Sequence, residues 1–69
     1  MNRKEVERIR EIYKKGDRIR LIYMDDIQAP APGTCCTVRF VDDAGQIHVD
    51  WDSGGNLALL PDEDKFELI

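Results

Sequence analysis

Apolar side chains near the start of the chain recur at the spacing of one helix face. The apolar positions on this face are Val6, Ile9, Ile12 and Tyr13. Asn2 can cap the first turn, and Glu5 stands three residues later, which is the spacing of a capping box. Gly16 suits the position just after the last turn, where glycine ends many helices. The pattern predicts an N-terminal helix over residues 2–15.

From Asp17 the apolar period changes to two, which is typical of half-buried strands. Inward-facing side chains are expected at alternate positions of two strands: Ile19, Leu21 and Tyr23, then Ile47, Val49 and Trp51. Gly45 and Gly54 suit tight turns between the later strands. The five predicted strands span residues 17–23, 34–42, 46–52, 56–60 and 66–69. A long loop over residues 24–33 joins the first two strands.

The register between the second and third predicted strands has two solutions. Plain alternation places three side chains of the second strand in the core: Cys36, Val38 and Phe40. A bulge near Arg39 buries Val38 and Val41 instead. Gly45 in a three-residue loop favours the bulge, because bulged hairpins commonly have glycine at this place.

Five short strands in this order predict a mainly β fold. We expect residues 17–69 to form a small barrel, with the apolar face of the helix covering one open end. A chain of 69 residues is expected to form a single domain, residues 1–69.

Several stretches of the chain resemble known families. The segment 34–52 is entered through the Gly33-Thr34 pair, has an Asp-Asp-x-Gly turn and an Ile-x-Val-x-Trp-Asp strand, and resembles the SH3-like small barrels of Tudor and KOW type. The whole chain resembles a bacterial and phage family that carries only a domain-of-unknown-function name. The stretches that match are Asn2-Arg3-Lys4, Tyr23-Met24-Asp25-Asp26, Gln28-Ala29-Pro30, Pro32-Gly33-Thr34, Val41-Asp42-Asp43-Ala44-Gly45-Gln46-Ile47, Val49 and Trp51-Asp52. The resemblance implies a five-stranded SH3-like barrel with one N-terminal α-helix, and it implies no catalytic residues.

Charge is distributed unevenly along the chain, although the formal net charge is only −4. Residues 1–20 contain eight Lys and Arg against four acids, whereas residues 21–69 contain two basic residues against ten acids. The predicted helix is therefore basic, and the predicted barrel is acidic.

The two cysteines, Cys35 and Cys36, are adjacent. Their Cα atoms lie about 3.8 Å apart across a trans peptide, closer than the usual lower limit of about 4.4 Å for a disulfide. His48 is the only other soft metal ligand, so we expect no structural zinc, no other metal and no cofactor. Reduced thiols and the lack of a secretory or membrane-spanning segment predict a cytoplasmic protein without membrane contact.

The residue types of a cysteine-nucleophile site are present in Cys35 or Cys36, His48 and Asp50. Such chemistry also needs an oxyanion site and a concave pocket. A barrel of this size fills its interior with its own side chains. We therefore expect a protein that is not an enzyme.

The loop 24–33 and the acidic rim of the barrel form the strongest candidate binding surface. The candidate residues are Met24, Asp25, Asp26, Ile27, Pro30, Asp50 and Asp52. Apolar groups flanked by acids favour an extended protein or peptide segment that carries Lys or Arg. The alternative is that Ile27 and the prolines fold back and seal the barrel.

Two other functions remain open. Basic residues of the helix and first strand are candidates for nucleic-acid phosphates: Lys4, Arg8, Lys15, Arg18 and Arg20. Glutamates interleave this surface, and no aromatic residue outside the predicted core is expected among the basic residues, so it lacks a stacking platform. The basic helix of one copy could also dock on the acidic barrel of another, which predicts a homodimer.

Overall fold

The computed structural model describes residues 1–69 and contains one helix and one antiparallel sheet. The elements in chain order are α1 (Arg3–Ile12), β1 (Arg18–Tyr23), β2 (Cys35–Val41), β3 (Ile47–Trp51) and β4 (Lys65–Leu68). The strand order across the sheet is β3-β2-β1-β4, and every neighbouring pair is antiparallel. The prediction of a mainly β domain with one N-terminal helix is confirmed.

The start of α1 follows the predicted capping box. The Asn2 side chain accepts a 2.9 Å hydrogen bond from the Glu5 backbone N–H, and the Glu5 carboxylate accepts the Asn2 backbone N–H. The helix ends at Ile12, three residues before the predicted end. The reason is Asp17, whose carboxylate accepts the Lys14 backbone N–H at 2.9 Å and stabilises a turn there instead of another helical turn.

The predicted strand over residues 56–60 is not formed, so the sheet has four strands and is open. Leu59 alone pairs with β3, through two reciprocal 2.9 Å backbone hydrogen bonds with Ile47. On one side of this bridge, the Leu57 carbonyl accepts the Trp51 indole N–H at 2.9 Å. On the other side, the Leu60 N–H donates to the Asp64 carboxylate at 2.7 Å. The Trp51 indole thus takes a backbone carbonyl that a longer strand would use to pair with β3. The Leu60 N–H points away from β3 in this register and is satisfied by Asp64 instead.

The bulged register of β2 and β3 is confirmed. Val38 pairs with Val49 and Phe40 pairs with His48, and the extra residue between the two pairs is Arg39. Val38 and Val41 are buried as the bulge requires, whereas Phe40 is 50% exposed on the outer face.

The prediction that Tyr23 faces the core is wrong. Ile19 and Leu21 of β1 are buried as expected, but the register shifts between Leu21 and Tyr23. Because one inserted residue reverses the alternation, Tyr23 is 53% exposed and Met24 is buried in its place.

The core lies on the inner face of the sheet, with α1 packed beside it. Its ten buried residues are Ile19, Leu21, Met24, Cys36, Val38, Val41, Ile47, Val49, Trp51 and Leu59. From α1 and its C-terminal cap, Ile9 and Tyr13 pack against this cluster, and the ring of Tyr13 meets that of Phe66 edge-on at 5.5 Å. No helix has the length and apolar character needed to cross a membrane.

Candidate functional site

The start of the loop after β1 and the segment that precedes β4 enclose a pocket of about 240 Å³. Its acidic side chains are Asp25, Asp26, Glu63 and Asp64. Its apolar side chains are Met24, Leu57, Ala58 and Leu60, and Gln46 completes the lining. We call this feature the acidic pocket. It combines three predicted site residues with two acids from a distant part of the chain.

Short-range hydrogen bonds hold the two acidic turns of the pocket in place. The Asp26 carboxylate accepts the Gln28 backbone N–H at 2.7 Å, and the Asp26 carbonyl accepts the Ala29 N–H at 3.0 Å. In the second turn, the Leu60 carbonyl accepts the backbone N–H groups of Glu63 and Asp64, at 2.9 and 2.8 Å. The backbone on both sides of the pocket is therefore fixed by local bonds.

No cation of the protein neutralises the acidic pocket. The six ion pairs of the structure use other acids: Glu7, Asp42, Asp43, Asp50, Asp52 and Glu67. Asp25, Asp26, Glu63 and Asp64 form none. Four carboxylates thus share one concave surface, and any positive charge must come from outside the chain.

Asp50 and Asp52 do not join the acidic pocket. The Asp52 carboxylate receives two hydrogen bonds from the Arg18 guanidinium, at 2.7 and 2.5 Å. This hydrogen-bonded pairing holds the pKa of Asp52 below its usual value. Asp50 lies 3.8 Å from the Arg39 Nε atom. Both acids are engaged with arginines of the sheet, and neither lines the acidic pocket.

Ile27 and Pro30 lie in two further places. The Ile27 side chain is fully exposed, so it does not fold back to seal the domain. Pro30 is half-buried and lines a second pocket of about 230 Å³ beside Trp51 and Gly54. The seven predicted residues are therefore divided among the acidic pocket, the loop, the second pocket and the sheet.

Glu63 and Asp64 are the residues of the pocket that the sequence analysis missed. They follow Pro61 in an acidic run that is typical of a polar turn. Their place opposite Asp25 depends on the Ile47–Leu59 bridge, which brings the 56–60 segment back along β3. Only the acidic run itself could have pointed to them.

The five basic residues of the nucleic-acid alternative do not act as one free cationic surface. Arg18 donates to Asp52 and also to the Thr37 hydroxyl at 2.9 Å, and Arg20 pairs with Glu67 at 3.1 Å. The other three form no ion pair: Lys4, Arg8 and Lys15. The charge available to phosphate from β1 is therefore reduced.

The outer face of β2 and β3 carries an aromatic side chain beside basic ones. Phe40 stacks on His48 with ring centroids 4.4 Å apart and an interplanar angle of 8°. Phe40, Lys15 and Arg39 line a common groove. The expectation that no aromatic residue outside the core lies among the basic residues is wrong at Lys15, because the bulge at Arg39 places Phe40 on the outer face.

The cysteines and His48 are not assembled into a nucleophile site. Cys36 is fully buried, and desolvation raises the pKa of its thiol to about 11. The His48 Nε2 atom lies 2.8 Å from a carboxylate oxygen of Asp42, not of Asp50. No group of three or more His, Cys, Asp or Glu side chains is placed to hold a metal ion.

No curated protein and no solved structure matches the chain significantly. A family model matches residues 2–69, which is nearly the whole chain, and this confirms the expected link to a family without an assigned function. The chain belongs to the family described as "Domain of unknown function (DUF4314)".

Proposed function

We propose that this domain is a non-enzymatic binding module that takes a Lys or Arg side chain of a partner protein into the acidic pocket. The observation that carries the proposal is the set of four carboxylates without a cationic partner that line one pocket together with Met24, Leu57 and Leu60. A partner that brings its own positive charge complements this surface.

The lining of the pocket matches the two parts of a long basic side chain. Lys and Arg have an apolar stem and a charged end, and they bury the stem where the end can reach polar groups. Met24, Leu57 and Leu60 offer contacts to the stem, and the carboxylates around them meet the charge. The volume of about 240 Å³ is below the range of roughly 300–1,000 Å³ found for drug-sized ligands. One side chain is therefore a better occupant than a whole cofactor.

Ile27 supports a second contact with the same partner. It follows Asp26 directly, and its side chain is fully exposed at a turn that the Asp26 carboxylate stabilises. An extended segment that inserts a basic residue can cover this aliphatic side chain with a neighbouring apolar residue. Such an interface is small, and complexes that bury less than roughly 1,200 Å² are usually transient.

We also propose that the fold is related to SH3-like barrels. The Ile47–Leu59 bridge puts residues 56–60 beside β3, so that five segments follow one another in the order expected for an SH3-like barrel with one incomplete strand. Small barrels of that kind commonly bind peptides through loops beside the sheet. The two free cysteines support residence in a reducing compartment such as the cytoplasm.

A peptide titration followed by amide NMR tests the proposed function. The probe is a peptide with blocked, uncharged ends in which lysine and leucine alternate between serine residues. The control is the same peptide with each lysine replaced by glutamine. We expect the lysine peptide to shift amide signals of residues 24–28 and 57–64. The glutamine peptide should bind much more weakly.

The matched variants remove two charges from different places. Asp25→Asn/Asp26→Asn should weaken binding about 2- to 30-fold, because each exposed ion pair contributes roughly 0.2–1 kcal/mol. Glu7→Gln/Glu11→Gln removes the same charge from α1 and should leave binding nearly unchanged. Equal losses in the two double variants would show a general charge effect and overturn the proposal.

A further inference from the structure

We propose that the outer face of β2 and β3 is a binding site for single-stranded nucleic acid, with one base stacked on Phe40 and phosphates held by Lys15 and Arg39. This site is distinct from the acidic pocket, and the inference does not depend on the proposed function.

Phe40 is exposed because of the β2 bulge. Phe40 is 50% exposed, while Val38 before the bulge and Val41 after it are buried. A phenylalanine on the outer face contributes little to the core, but it presents a flat apolar ring that a ligand can contact. Leu59, Trp51 and the other core residues pack on the opposite face of the sheet.

The Phe40 ring is held in place by a chain of contacts. It lies parallel to His48 at 4.4 Å, and His48 is hydrogen-bonded to Asp42 at 2.8 Å. The Asp42 carboxylate in turn accepts the backbone N–H groups of Ala44 and Gln46, each at 2.9 Å. A ring that is already ordered loses little conformational freedom when a ligand stacks on it.

Cationic side chains line the same groove, which has a volume of about 390 Å³. Lys15 forms no ion pair. Arg39 is only loosely paired, because its Nε atom is 3.8 Å from Asp50 and both side chains are more than half exposed. A phosphate can therefore replace Asp50 as the partner of Arg39 at little cost.

A ring beside two available cations matches the repeating unit of a nucleic-acid strand, a flat base next to a phosphate. Stacking on one ring tolerates any base, so little sequence preference is expected. The net charge of −4 opposes binding at a distance. Affinity should nevertheless fall with salt, because phosphates bound by Lys15 and Arg39 release their counterions. Two phosphate contacts correspond to a slope of roughly −1.4 in a plot of log K against log salt concentration.

Fluorescence anisotropy with a labelled twelve-residue thymidine oligonucleotide at low salt tests the inference. Phe40→Leu should weaken binding about 5- to 150-fold, because a base stacked on an aromatic ring contributes roughly 1–3 kcal/mol. Phe40→Trp keeps a flat ring and should retain binding. Tyr23→Leu removes another half-exposed aromatic residue outside the groove and is the matched control, expected to bind like the unchanged protein.

The charge contribution is tested separately with Lys15→Gln. This change should weaken binding and make the salt slope shallower, whereas Lys4→Gln, outside the groove, should do neither. An abasic oligonucleotide of the same length should bind less tightly than the thymidine oligonucleotide. The inference is overturned by equal binding of the two oligonucleotides, by unchanged binding of Phe40→Leu, or by tighter binding of an acidic tyrosine-containing peptide that competes for the groove.

Discussion

Cys35 and Cys36 are neighbours in the chain but lie in different surroundings. Successive side chains of a strand point to opposite faces, so Cys36 enters the core while Cys35 is partly exposed. Burial raises the pKa of the Cys36 thiol to about 11, and at neutral pH it stays protonated. The two thiols should therefore differ in reactivity, because they lie on opposite faces of β2.

We expect one thiol of the folded protein to react readily with a disulfide reagent at pH 8. The second should react only when the chain is unfolded in guanidinium chloride. Cys35→Ser should abolish the fast reaction, and Cys36→Ala should keep it; absorbance of the released thiolate follows both. Equal rates for the two thiols would contradict the buried position of Cys36.

A residue's hydrogen bonds can be predicted from the sequence only where its partner lies close by in the chain. Asn2 and Glu5 are three residues apart, and their reciprocal bonds could be predicted from spacing alone. The alternation of apolar residues placed Trp51 in the core, but it could not predict the hydrogen-bond acceptor of its indole N–H. Its indole N–H donates to the Leu57 carbonyl, which a chain reversal brings within 2.9 Å.

At the scale of elements, the β2–β3 hairpin followed local rules and the 56–60 segment did not. Gly45 indicates a bulged loop, so the burial of Val38 and Val41 could be predicted. Pairing at 56–60 is limited to Leu59, because the Leu57 carbonyl that a longer strand would turn toward β3 accepts the Trp51 indole N–H instead. The Ile47–Leu59 bridge is a long-range contact that brings Glu63 and Asp64 to the acidic pocket, which explains why half of its acids were missed.

An ion pair joins the outer faces of three strands. Arg18 of β1 bonds to Thr37 of β2 and to Asp52 just after β3. Because the pKa of Asp52 is lower in the folded than in the unfolded chain, this pairing stabilises the folded state above the usual aspartate pKa of about 3.9. The contribution is lost as the pH falls through the depressed value.

Asp52→Asn should therefore lose less stability than the unchanged protein between pH 6 and pH 2.5, measured by urea unfolding at each pH. The stability of Asp52→Asn will still depend on pH to some extent, since a hydrogen bond with His48 also lowers the pKa of Asp42. Asp62→Asn alters an acid without an ion pair and should keep the full dependence. Parallel curves for all three proteins would show that the Arg18 contact contributes nothing to acid sensitivity.

Across the whole molecule, the basic start of the chain and its acidic remainder neutralise each other in part. Three ion pairs link them: Arg10–Asp43, Arg18–Asp52 and Arg20–Glu67. These contacts engage three arginines of the basic start with acids outside the acidic pocket, whose four carboxylates remain without an ion pair. The charge asymmetry could be read from the sequence, but which acids stay unpaired depends on the fold.

Uncompensated acids should make the domain less stable than it could be. Asp25→Asn/Asp26→Asn should raise the melting temperature by about 2–4 °C at low salt, if relief of repulsion contributes about 0.5 kcal/mol. The gain should shrink at 1 M salt, where charges are screened. Calorimetry at both salt concentrations provides the measurement, with Glu7→Gln/Glu11→Gln as control. A lower melting temperature in the Asp25/Asp26 variant would mean that these acids serve the fold.

The pairing of β1 with β4 has a consequence for the order of events during folding. Ile19 lies opposite Leu68, and the Ile69 N–H donates to the Arg18 carbonyl, so one edge of β1 is covered only by residues about fifty positions later in the chain. Until β4 has docked, β1, β2 and β3 can form only a three-stranded meander with that edge of β1 unpaired. Such an edge readily pairs with other chains, and the partly folded domain is therefore most prone to aggregation before β4 has docked.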